Sequence, residues 1–531
     1  MDQVAVTTAP TQVLPQFEPY VGEEPFCFIS YSHANCDQVY GVLNHLADHN
    51  FRMWFDDTME IGDDFRKELR ERIRACDAFI LFLSPESMSS KYCGMEIITA
   101  YELGKRIYPV QIDASTEIPP VLKLVLEHLQ HVKAHSGEQR HVQRLIDSLP
   151  PETMRRLVIK DGVVIRCADN GSQIVVPDGV TEIGDGAFKG CLQLEQVVLP
   201  DSVNRIGDQA FRSCTRLREI VLGETVEHVG HSAFRDCTGL KHVAIVNPAI
   251  HMVGRTFENC ASLEVVELPD ETEEIFDSAF NSCGSLTRFR FPGALKIVGE
   301  SAFSDCVQLN HVELPDDVVK IDAGAFADCT SLTDIRLPPR LSKIGRYAFK
   351  GCSSLEKIEL PVGVDSITGD AFRECVHLEA ISVAPSNRFY KAVDGVLFNK
   401  SRSVIVAYPS ASPASRYEVP DSVTLISPWA FCQADRLHTV AIPDSVEEIG
   451  EGAFFSAEHL ESVLLPPSLE RIDDIAFRDC HNLRRVEVPS HVWHIGWGAF
   501  LGCPQLEVVC EPGSYAWRHC EEQGIPHRDQ E

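Results

Sequence analysis

Cysteine is the residue type whose number and spacing in this sequence most invite a chemical interpretation. The chain has 19 Cys among 531 residues, and thiols can form disulfides, bind metals or act as nucleophiles. Eleven of them stand three residues after a phenylalanine: Cys191, Cys214, Cys237, Cys260, Cys283, Cys306, Cys329, Cys352, Cys375, Cys480 and Cys503. Because no CxxC or Cys/His cluster has zinc-like spacing, this pattern predicts a row of small buried thiols and no metal site.

The phenylalanines that precede these cysteines recur every 23 residues. They are Phe188, Phe211, Phe234, Phe257, Phe280, Phe303, Phe326, Phe349 and Phe372 and, after one longer gap, Phe431, Phe454, Phe477 and Phe500. A fixed period of this length predicts a solenoid, in which each turn buries its apolar face only by stacking on its neighbours. The unit reads I-G-x-x-A-F-x-x-C-x-x-L-x-x-V-x-L-P. Its V-x-L step predicts a strand with one buried face, its proline ends that strand, and its glycine is expected to make a bend.

The unit resembles the BspA-type leucine-rich repeat over residues 157–512, as in Ile183-Gly184 followed by Ala187-Phe188. The resemblance implies a gently curved solenoid with little regular helix, and residues 513–531 resemble the capping segment that ends such arrays. An irregular insert at 384–418 interrupts the period. The insert could face a ligand, or it could be a neutral insertion of the kind that loops tolerate, and we prefer the second interpretation.

Residues 25–150 follow a different pattern, in which strand-like and helix-like segments alternate. Strands are expected at the apolar runs 26–31, 51–55, 78–83 and 106–112, and helices at 37–49, 64–76 and 89–103, the last with Ser90 as a candidate cap. This alternation predicts an α/β fold with a parallel sheet, whose ligands bind beyond the carboxyl ends of the strands. Residues 1–24 are expected to be a short disordered lead-in.

Five ordered motifs in this segment resemble the Toll/interleukin receptor (TIR) domain, a flavodoxin-like α/β fold. They are Phe28-Ile29-Ser30-Tyr31-Ser32-His33, Trp54-Phe55-Asp56, Phe82-Leu83-Ser84-Pro85, Ser89 to Glu96, and Pro109-Val110. The loop after the second strand looks like the family's BB loop. The resemblance implies an oligomer contact in that loop, at Thr58, Met59, Glu60, Ile61 and Gly62. We therefore expect residues 25–150 to form a TIR domain that self-associates.

Many TIR domains cleave NAD at the nicotinamide–ribose bond, and the resemblance extends to the setting of their catalytic glutamate. Here that setting is Ser89, Cys93 and Glu96. It implies that Glu96 is the catalytic carboxylate and that NAD+ is a substrate, with no cofactor required. A fixed negative charge stabilises the oxocarbenium-like ribose as nicotinamide leaves. The alternative is a solvated helix glutamate with no catalytic role.

The resemblance also implies a nucleotide pocket around this glutamate. Ser30 and Tyr31 would line the pocket, and Trp54 and Ser84 would flank the nucleotide, although a strand tryptophan is often a core residue. Asp56 either hydrogen-bonds the nucleotide or fixes the loop. Cys93 would lie at the same pocket, and packing explains it better than nucleophilic catalysis because no histidine pairs with it.

Composition narrows the classes of function. A formal charge of −30 disfavours nucleic-acid binding, and the sequence has no run of about 18 apolar residues that would predict a membrane span. The first 20 residues lack the basic and apolar regions of a secretory signal. With reduced cysteines, this predicts a cytoplasmic protein. Neither GxGxxG after a strand nor GxxxxGK[ST] occurs, so no hydride-transferring Rossmann site and no nucleotide-driven oligomerisation domain is expected.

The sequence supports three hypotheses on function. The first is an NAD+ glycohydrolase that yields nicotinamide and ADP-ribose or cyclic ADP-ribose. Its activity would be controlled by repeats that sense a protein or other ligand, in signal transduction or innate immune defence. The second is a non-enzymatic TIR adaptor that only docks other TIR domains. The third, a surface adhesin or virulence factor, is the usual role of this repeat type and would need export.

Overall fold

The computed structural model describes residues 18–22, 24–49, 51–56, 63–136, 139–150, 153, 157–168 and 171–529. The chain divides into two compact units. One comprises residues 1–158 with 167–169, and the other comprises residues 159–166 with 170–531. Each unit has its own hydrophobic core. The fold of each unit can therefore be understood from its own stretch of sequence.

The first unit is an α/β domain built on a parallel sheet. In chain order its elements are β1 Cys27–Ser30, α1 Cys36–Asp48, β2 Met53–Trp54, α2 Asp63–Ala75, β3 Ala78–Leu83, α3 Pro85–Ser89, α4 Lys91–Glu102, β4 Arg106–Gln111, α5 Pro120–Leu126, β5 Val132–Lys133 and α6 Gln139–Ser148, with single 3-10 turns at His33–Asn35 and Ala134–Ser136. The strands lie in the order β2-β1-β3-β4-β5, and all pairs are parallel. This is the flavodoxin-like order, and its topological switch point lies between β1 and β3. The predicted fold class is confirmed.

Side chains of β1 point alternately to the two faces of the sheet, and both faces are covered by helices. Cys27 and Ile29 of β1 point into a core with α1 and α6, whereas Phe28 points into a second core with α2 and α4. All six residues of β3 are buried, as expected for a central parallel strand that reads as a continuous apolar run.

Two serine caps set the helices that follow β3. The Ser87 amide donates to Oγ of Ser84, which caps α3, and the Cys93 amide donates to Oγ of Ser90, which caps α4. The sequence predicted one helix over 89–103. The structure instead ends α3 at Ser89 and begins α4 at Lys91, because Ser90 has an extended backbone (ψ 123°) that a continuous helix cannot contain.

The second unit is a solenoid with two rows of short strands, each row divided into several sheets within which neighbouring repeats pair in parallel. The first row comprises Glu182–Ile183, Arg205–Ile206, His228–Val229, His251–Met252, Glu274–Ile275, Ile297–Val298, Lys320–Ile321, Lys343–Ile344, Leu425–Ile426, Glu448–Ile449, Arg471–Ile472 and His494–Ile495. The second row comprises Gln173–Val175, Gln196–Val198, Glu219–Leu222, His242–Ile245, Val265–Glu267, His311–Glu313, Asp334–Arg336, Lys357–Leu360, Ala380–Val383, Arg416–Glu418, Thr439–Ala441, Ser462–Leu464, Arg485–Glu487 and Glu507–Val509.

Stacked phenylalanines fill the interior between the rows. Consecutive rings lie 4.7 Å apart at Phe188–Phe211 and 6.0 Å apart at Phe349–Phe372, with planes within about 10° of parallel. From Cys214 onward, each thiol of the cysteine row donates to the carbonyl of the phenylalanine in the preceding turn, as Cys214 Sγ does to Phe188 O at 3.0 Å. All 19 cysteines are free. Cysteine suits this position because it is small and supplies a weak donor to a buried carbonyl.

The glycine of the repeat was predicted to make a bend, but the structure requires it for another reason. A Cβ on Gly207 would lie 2.7 Å from the amide nitrogen of Asp185 in the preceding turn, so the position requires close approach of two backbones. Left-handed backbone occurs two residues later, at Gln209 (φ 54°) and its equivalents. The Asp185 carboxylate also accepts the Asp208 amide at 2.8 Å, which ties adjacent turns together.

The insert continues the solenoid. Tyr390–Val393 and Val396–Asn399 form an antiparallel hairpin whose two turn residues both have positive φ, and Val404–Ala407 joins this hairpin to the first strand row. A hairpin of Leu157–Lys160 and Val163–Cys167 precedes the repeats. At the other end, helix α7, Tyr515–Gln523, and the strand His527–Arg528 close the second row.

Candidate active site

The candidate site lies at the carboxyl edge of the parallel sheet, where β1 and β3 diverge. Ser30 is the last residue of β1 and Tyr31 follows it, Asp56 comes two residues after β2, and Ser84 directly follows β3. The crevice outside the strand ends at a switch point is where open α/β sheets bind ligands. Helix α4 contributes Glu96.

A direct hydrogen bond joins β1 to α4 at this edge. Oγ of Ser30 donates to Oε2 of Glu96 at 2.6 Å. Ser30 is buried, whereas Glu96 keeps part of its surface exposed. The carboxylate is therefore oriented by a buried neighbour, and part of the Glu96 side chain reaches the surface.

The protein raises the pKa of Glu96 to about 7. Desolvation is the main cause, because dense packing around the carboxyl disfavours its charged form. The Ser30 hydrogen bond acts in the opposite direction, and the negative charge of Asp56 adds a smaller upward contribution. A carboxyl with this pKa exchanges its proton near neutral pH, as groups at functional sites often do.

Tyr31 and Cys93 support the same edge. The Tyr31 hydroxyl donates to the carbonyl of Asp56 at 3.1 Å and lies 3.3 Å from the hydroxyl of Tyr40. The Cys93 thiol is buried and donates to the carbonyl of Tyr31 at 3.5 Å. Burial, and then the charge of Glu96, raise the pKa of Cys93 to about 11. Because its thiolate is disfavoured, Cys93 packs and positions rather than attacks.

Trp54 and Ser84 both contact other residues of the domain near the site. Trp54 is 7% exposed and stacks on Phe28 with ring centroids 4.9 Å apart, so its burial agrees with a core role. The Ser84 hydroxyl caps α3 and donates to Oδ1 of Asn35 at 2.6 Å, and the Asn35 amide donates to Glu86 at 3.1 Å. The predicted oligomer-contact residues Thr58, Met59, Glu60, Ile61 and Gly62 lie outside the described residues.

Sequence reasoning missed Asn35 and His33. Both lie on the 3-10 turn directly after β1. The His33 ring packs 5.3 Å from the Tyr31 ring, and its Nε2 is buried without a hydrogen-bond partner among the described residues. Their position in the sequence could have indicated them, because polar residues that follow the carboxyl end of a central strand lie at the ligand-binding edge of the sheet.

Two family models match the chain. The model of the TIR domain matches residues 27–146, and that of the BspA type leucine rich repeat region matches residues 164–287, 273–401 and 407–516. The repeat matches together cover more than half of the sequence. The chain belongs to the BspA type leucine-rich repeat family. In this family member, the N-terminal unit is a TIR domain, as the sequence motifs predicted.

Solved structures of leucine-rich repeat proteins resemble this family member. A cell surface protein from Faecalibacterium prausnitzii is 25% identical over 68% of this chain and 94% of its own, with a TM-score of 0.44. A protein from Bacteroides ovatus is 23% identical over 71% and 91%, with a TM-score of 0.42. The pneumococcal vaccine antigen PcpA is 22% identical over 64% of this chain, with a TM-score of 0.31, and the match spans 62% of its length. No curated protein matches the sequence significantly.

The described part of the chain contains no group of three or more His, Cys, Asp or Glu side chains placed to hold a metal ion. Within the same residues, no helix combines the length and apolar character needed to cross a bilayer. The TIR domain and the repeats together support a role in signalling through protein interactions.

Proposed function

We propose that the protein is an NAD+ glycohydrolase whose TIR domain is controlled by ligand binding to its leucine-rich repeats. The observation that carries this proposal is the hydrogen bond of Ser30 to Glu96 at the switch point of the sheet. It gives a carboxylate with a defined orientation and a pKa near 7 at the sheet edge where this fold type binds nucleotides.

The chemistry needs little more than that carboxylate. The bond between C1′ of the ribose and the nicotinamide nitrogen breaks, and its electron pair leaves with nicotinamide. Positive charge then develops on the ribose, and ionised Glu96 stabilises it electrostatically. A water molecule attacks C1′ and loses a proton to give ADP-ribose, or an adenine nitrogen attacks to give cyclic ADP-ribose. Ser30 keeps the carboxylate aimed at the ribose.

The outer face of α4 supports association between TIR domains. Tyr92, Met95, Ile98 and Tyr101 recur every three residues on this helix and are 39–53% exposed. A second copy of this domain is the occupant that we propose, because a chain with a formal charge of −30 repels its copies least across an uncharged apolar surface. The same helix carries Glu96, so association would act directly on the site.

The adaptor hypothesis remains the second candidate. The exposed apolar face of α4 favours it as much as it favours an associating enzyme, because both need a docking surface. Under both hypotheses we place the protein in the cytoplasm, where free cysteines are kept reduced.

Catalysis by Glu96 is tested by following nicotinamide release from NAD+ with the purified full-length chain at high concentration. Glu96→Gln keeps the shape of the side chain and should abolish release. Glu102→Gln, at the exposed end of the same helix, is the matched control and should retain activity. If wild type and Glu96→Gln are equally inactive across protein concentrations, the protein is an adaptor.

A further inference from the structure

The second strand row of the solenoid lacks a strand at one turn before the insert, whereas its other breaks, as between Asp334–Arg336 and Lys357–Leu360, lie between turns that both carry strands. The row runs through Glu219–Leu222, His242–Ile245 and Val265–Glu267, and it resumes at His311–Glu313. The intervening turn, residues 288–291, reads Arg-Phe-Arg-Phe and forms no strand. This interruption lies between the sheet that ends at Val265–Glu267 and the sheet that begins at His311–Glu313.

Two bulky side chains explain the interruption. Phe289 and Phe291 occupy positions that hold Val266 and Leu268 in the preceding turn. Both rings point inward, and Phe289 lies 5.1 Å from the Phe280 ring and 4.8 Å from Phe303. Rings of this size need more room than the aliphatic residues that fill the other turns, so the backbone cannot settle into the ladder.

The interruption leaves backbone groups without their usual partners. Ser285 and Ala294 still donate to the preceding turn, and Asn310 of the following turn donates to Thr287. Between these anchors, no backbone hydrogen bond joins residues 288–291 to either adjacent turn within the part of the chain that the structure describes. Backbone groups of this kind need another partner.

A cleft of about 460 Å³ opens at this point, between residues 288–291 and the turn from His311 to Asp316. Its rim carries three arginines. Arg290 is neutralised by Asp270 at 3.0 Å, and Arg336 by Glu313 at 3.0 Å and by Asp316 at 3.2 Å. Arg288 is exposed and forms no ion pair with any residue that the structure describes. Arg288 is thus left without an ion-pair partner, although the second carboxylate on Arg336 brings the sum of the three arginines and three carboxylates named here to zero.

We propose that this cleft binds an extended peptide that carries a carboxylate side chain. The peptide backbone pairs with the free groups of residues 288–291, in the way that a strand adds to a sheet edge, and its carboxylate pairs with Arg288. Phe289 and Phe291 form the floor. This inference names a ligand class for the sensing role proposed above and rests on that role only for its biological meaning.

Fluorescence anisotropy with the full-length chain tests the proposal. The probes are a fluorescein-labelled Val-Glu-Val-Glu-Val peptide, the same peptide with Lys for Glu, and a backbone N-methylated form of the Glu peptide. The Glu peptide should bind saturably, and the other two should bind at least tenfold more weakly. Arg288→Glu should weaken binding of the Glu peptide by at least tenfold.

Arg485→Glu is the matched control, because Arg485 occupies the same repeat position in an intact strand of the row. This variant should bind the Glu peptide as wild type does. Hydrogen exchange on wild type adds a readout that needs no variant. The amides of residues 288–291 should exchange quickly in the free protein and be protected when the Glu peptide is bound.

Equal binding by wild type and Arg288→Glu overturns the proposal. So does a failure to bind at 1 mM peptide, or free-state protection at 288–291 equal to that of Asp334–Arg336. Because no NAD+ is present, an inactive TIR domain would leave a positive result standing, and a negative result would leave the glycohydrolase proposal untouched.

Discussion

The hydroxyl of Ser30 lies 2.6 Å from Oε2 of Glu96, although the two residues are 66 positions apart in the sequence. They meet because β1 ends at the switch point and α4 runs beside it. The contact places a buried donor against a carboxylate whose pKa is raised to about 7. Its removal should therefore change both the orientation and the proton affinity of Glu96.

Ser30→Ala should reduce the NAD+ cleavage that we propose, by about tenfold at pH 7, because hydrogen bonds to charged groups contribute roughly 1.5–3 kcal/mol. The loss should shrink at pH 9, since removal of a donor to the charged form raises the pKa of Glu96 further and higher pH restores ionisation. Initial rates of NAD+ cleavage by wild type and Ser30→Ala, measured from pH 7 to pH 9, test this prediction. Thr99→Ala, which removes a hydroxyl bonded to a carbonyl of α4, is the control and should leave the profile unchanged.

Wild-type kcat/KM should rise with pH and reach half of its maximum near pH 7. Ionised Glu96 is the reactive form in the proposed mechanism, and burial raises its pKa to about 7. A pH profile of kcat/KM measured between pH 5 and 9 gives the apparent pKa. A profile that is flat over this range would show that ionisation of Glu96 in the free enzyme does not control the reaction.

Glu96→Gln should stabilise the TIR domain at alkaline pH. The folded pKa of about 7 exceeds the value of about 4.3 in an unfolded chain, so the folded state binds more protons between these two values and the wild type loses stability as pH rises through this window. The variant should gain up to about 3 kcal/mol at pH 8 and little at pH 4. Hydrogen exchange of the β1 and α4 amides in the full chain measures the difference, and an equal gain at both pH values would contradict the argument.

Gly207→Ala should destabilise the solenoid by about 2 kcal/mol or more, because the new Cβ would lie 2.7 Å from the Asp185 nitrogen. Gly223→Ala is the matched control. It has no atom within 4 Å of the added Cβ, so it should be neutral or stabilise by about 0.4–1 kcal/mol. Urea unfolding of the two variants measures both. Equal destabilisation would mean that backbone freedom, rather than close approach, requires glycine in the repeat.

Cys503 should react with iodoacetamide at least tenfold faster than Cys480 in the folded protein. Cys480 is buried, whereas Cys503 is partly exposed, and burial hinders both ionisation of a thiol and access of the reagent. Timed alkylation with mass spectrometry of the peptides gives both rates. In urea the alkylation rates of Cys503 and Cys480 should converge. A difference that persists in urea would have a cause other than the folded structure.

The sequence predicts the architecture well because both patterns are strong. The 23-residue spacing of phenylalanine, and the alternation of apolar strands with amphipathic helices, each allow only one kind of packing. Tyr408 shows that the 23-residue period should not have been restricted to phenylalanine. It stands 23 residues before Phe431 and stacks on its ring at 4.9 Å, so the period resumes inside the insert with a different aromatic residue.

The site is less predictable from sequence, because it depends on contacts between distant residues. The motif around Glu96 identified the carboxylate, but the Ser30 contact and the pKa of about 7 follow from how closely α4 packs on β1. The capping role of Ser84 and its bond to Asn35 depend in the same way on where α3 starts. No local pattern around Arg288 indicated that two phenylalanines would open a cleft beside it.

The interior phenylalanine stack is not uniform along the solenoid. Ring separation grows from 4.7 Å at Phe188–Phe211 to 6.0 Å on both sides of Phe349, before the insert. Dispersion attraction weakens steeply with separation, so the rings around Phe349 contribute less to cohesion between turns than the rings at the start of the array. Under tension along its axis, the solenoid should therefore stretch more easily around Phe349 than around Phe188.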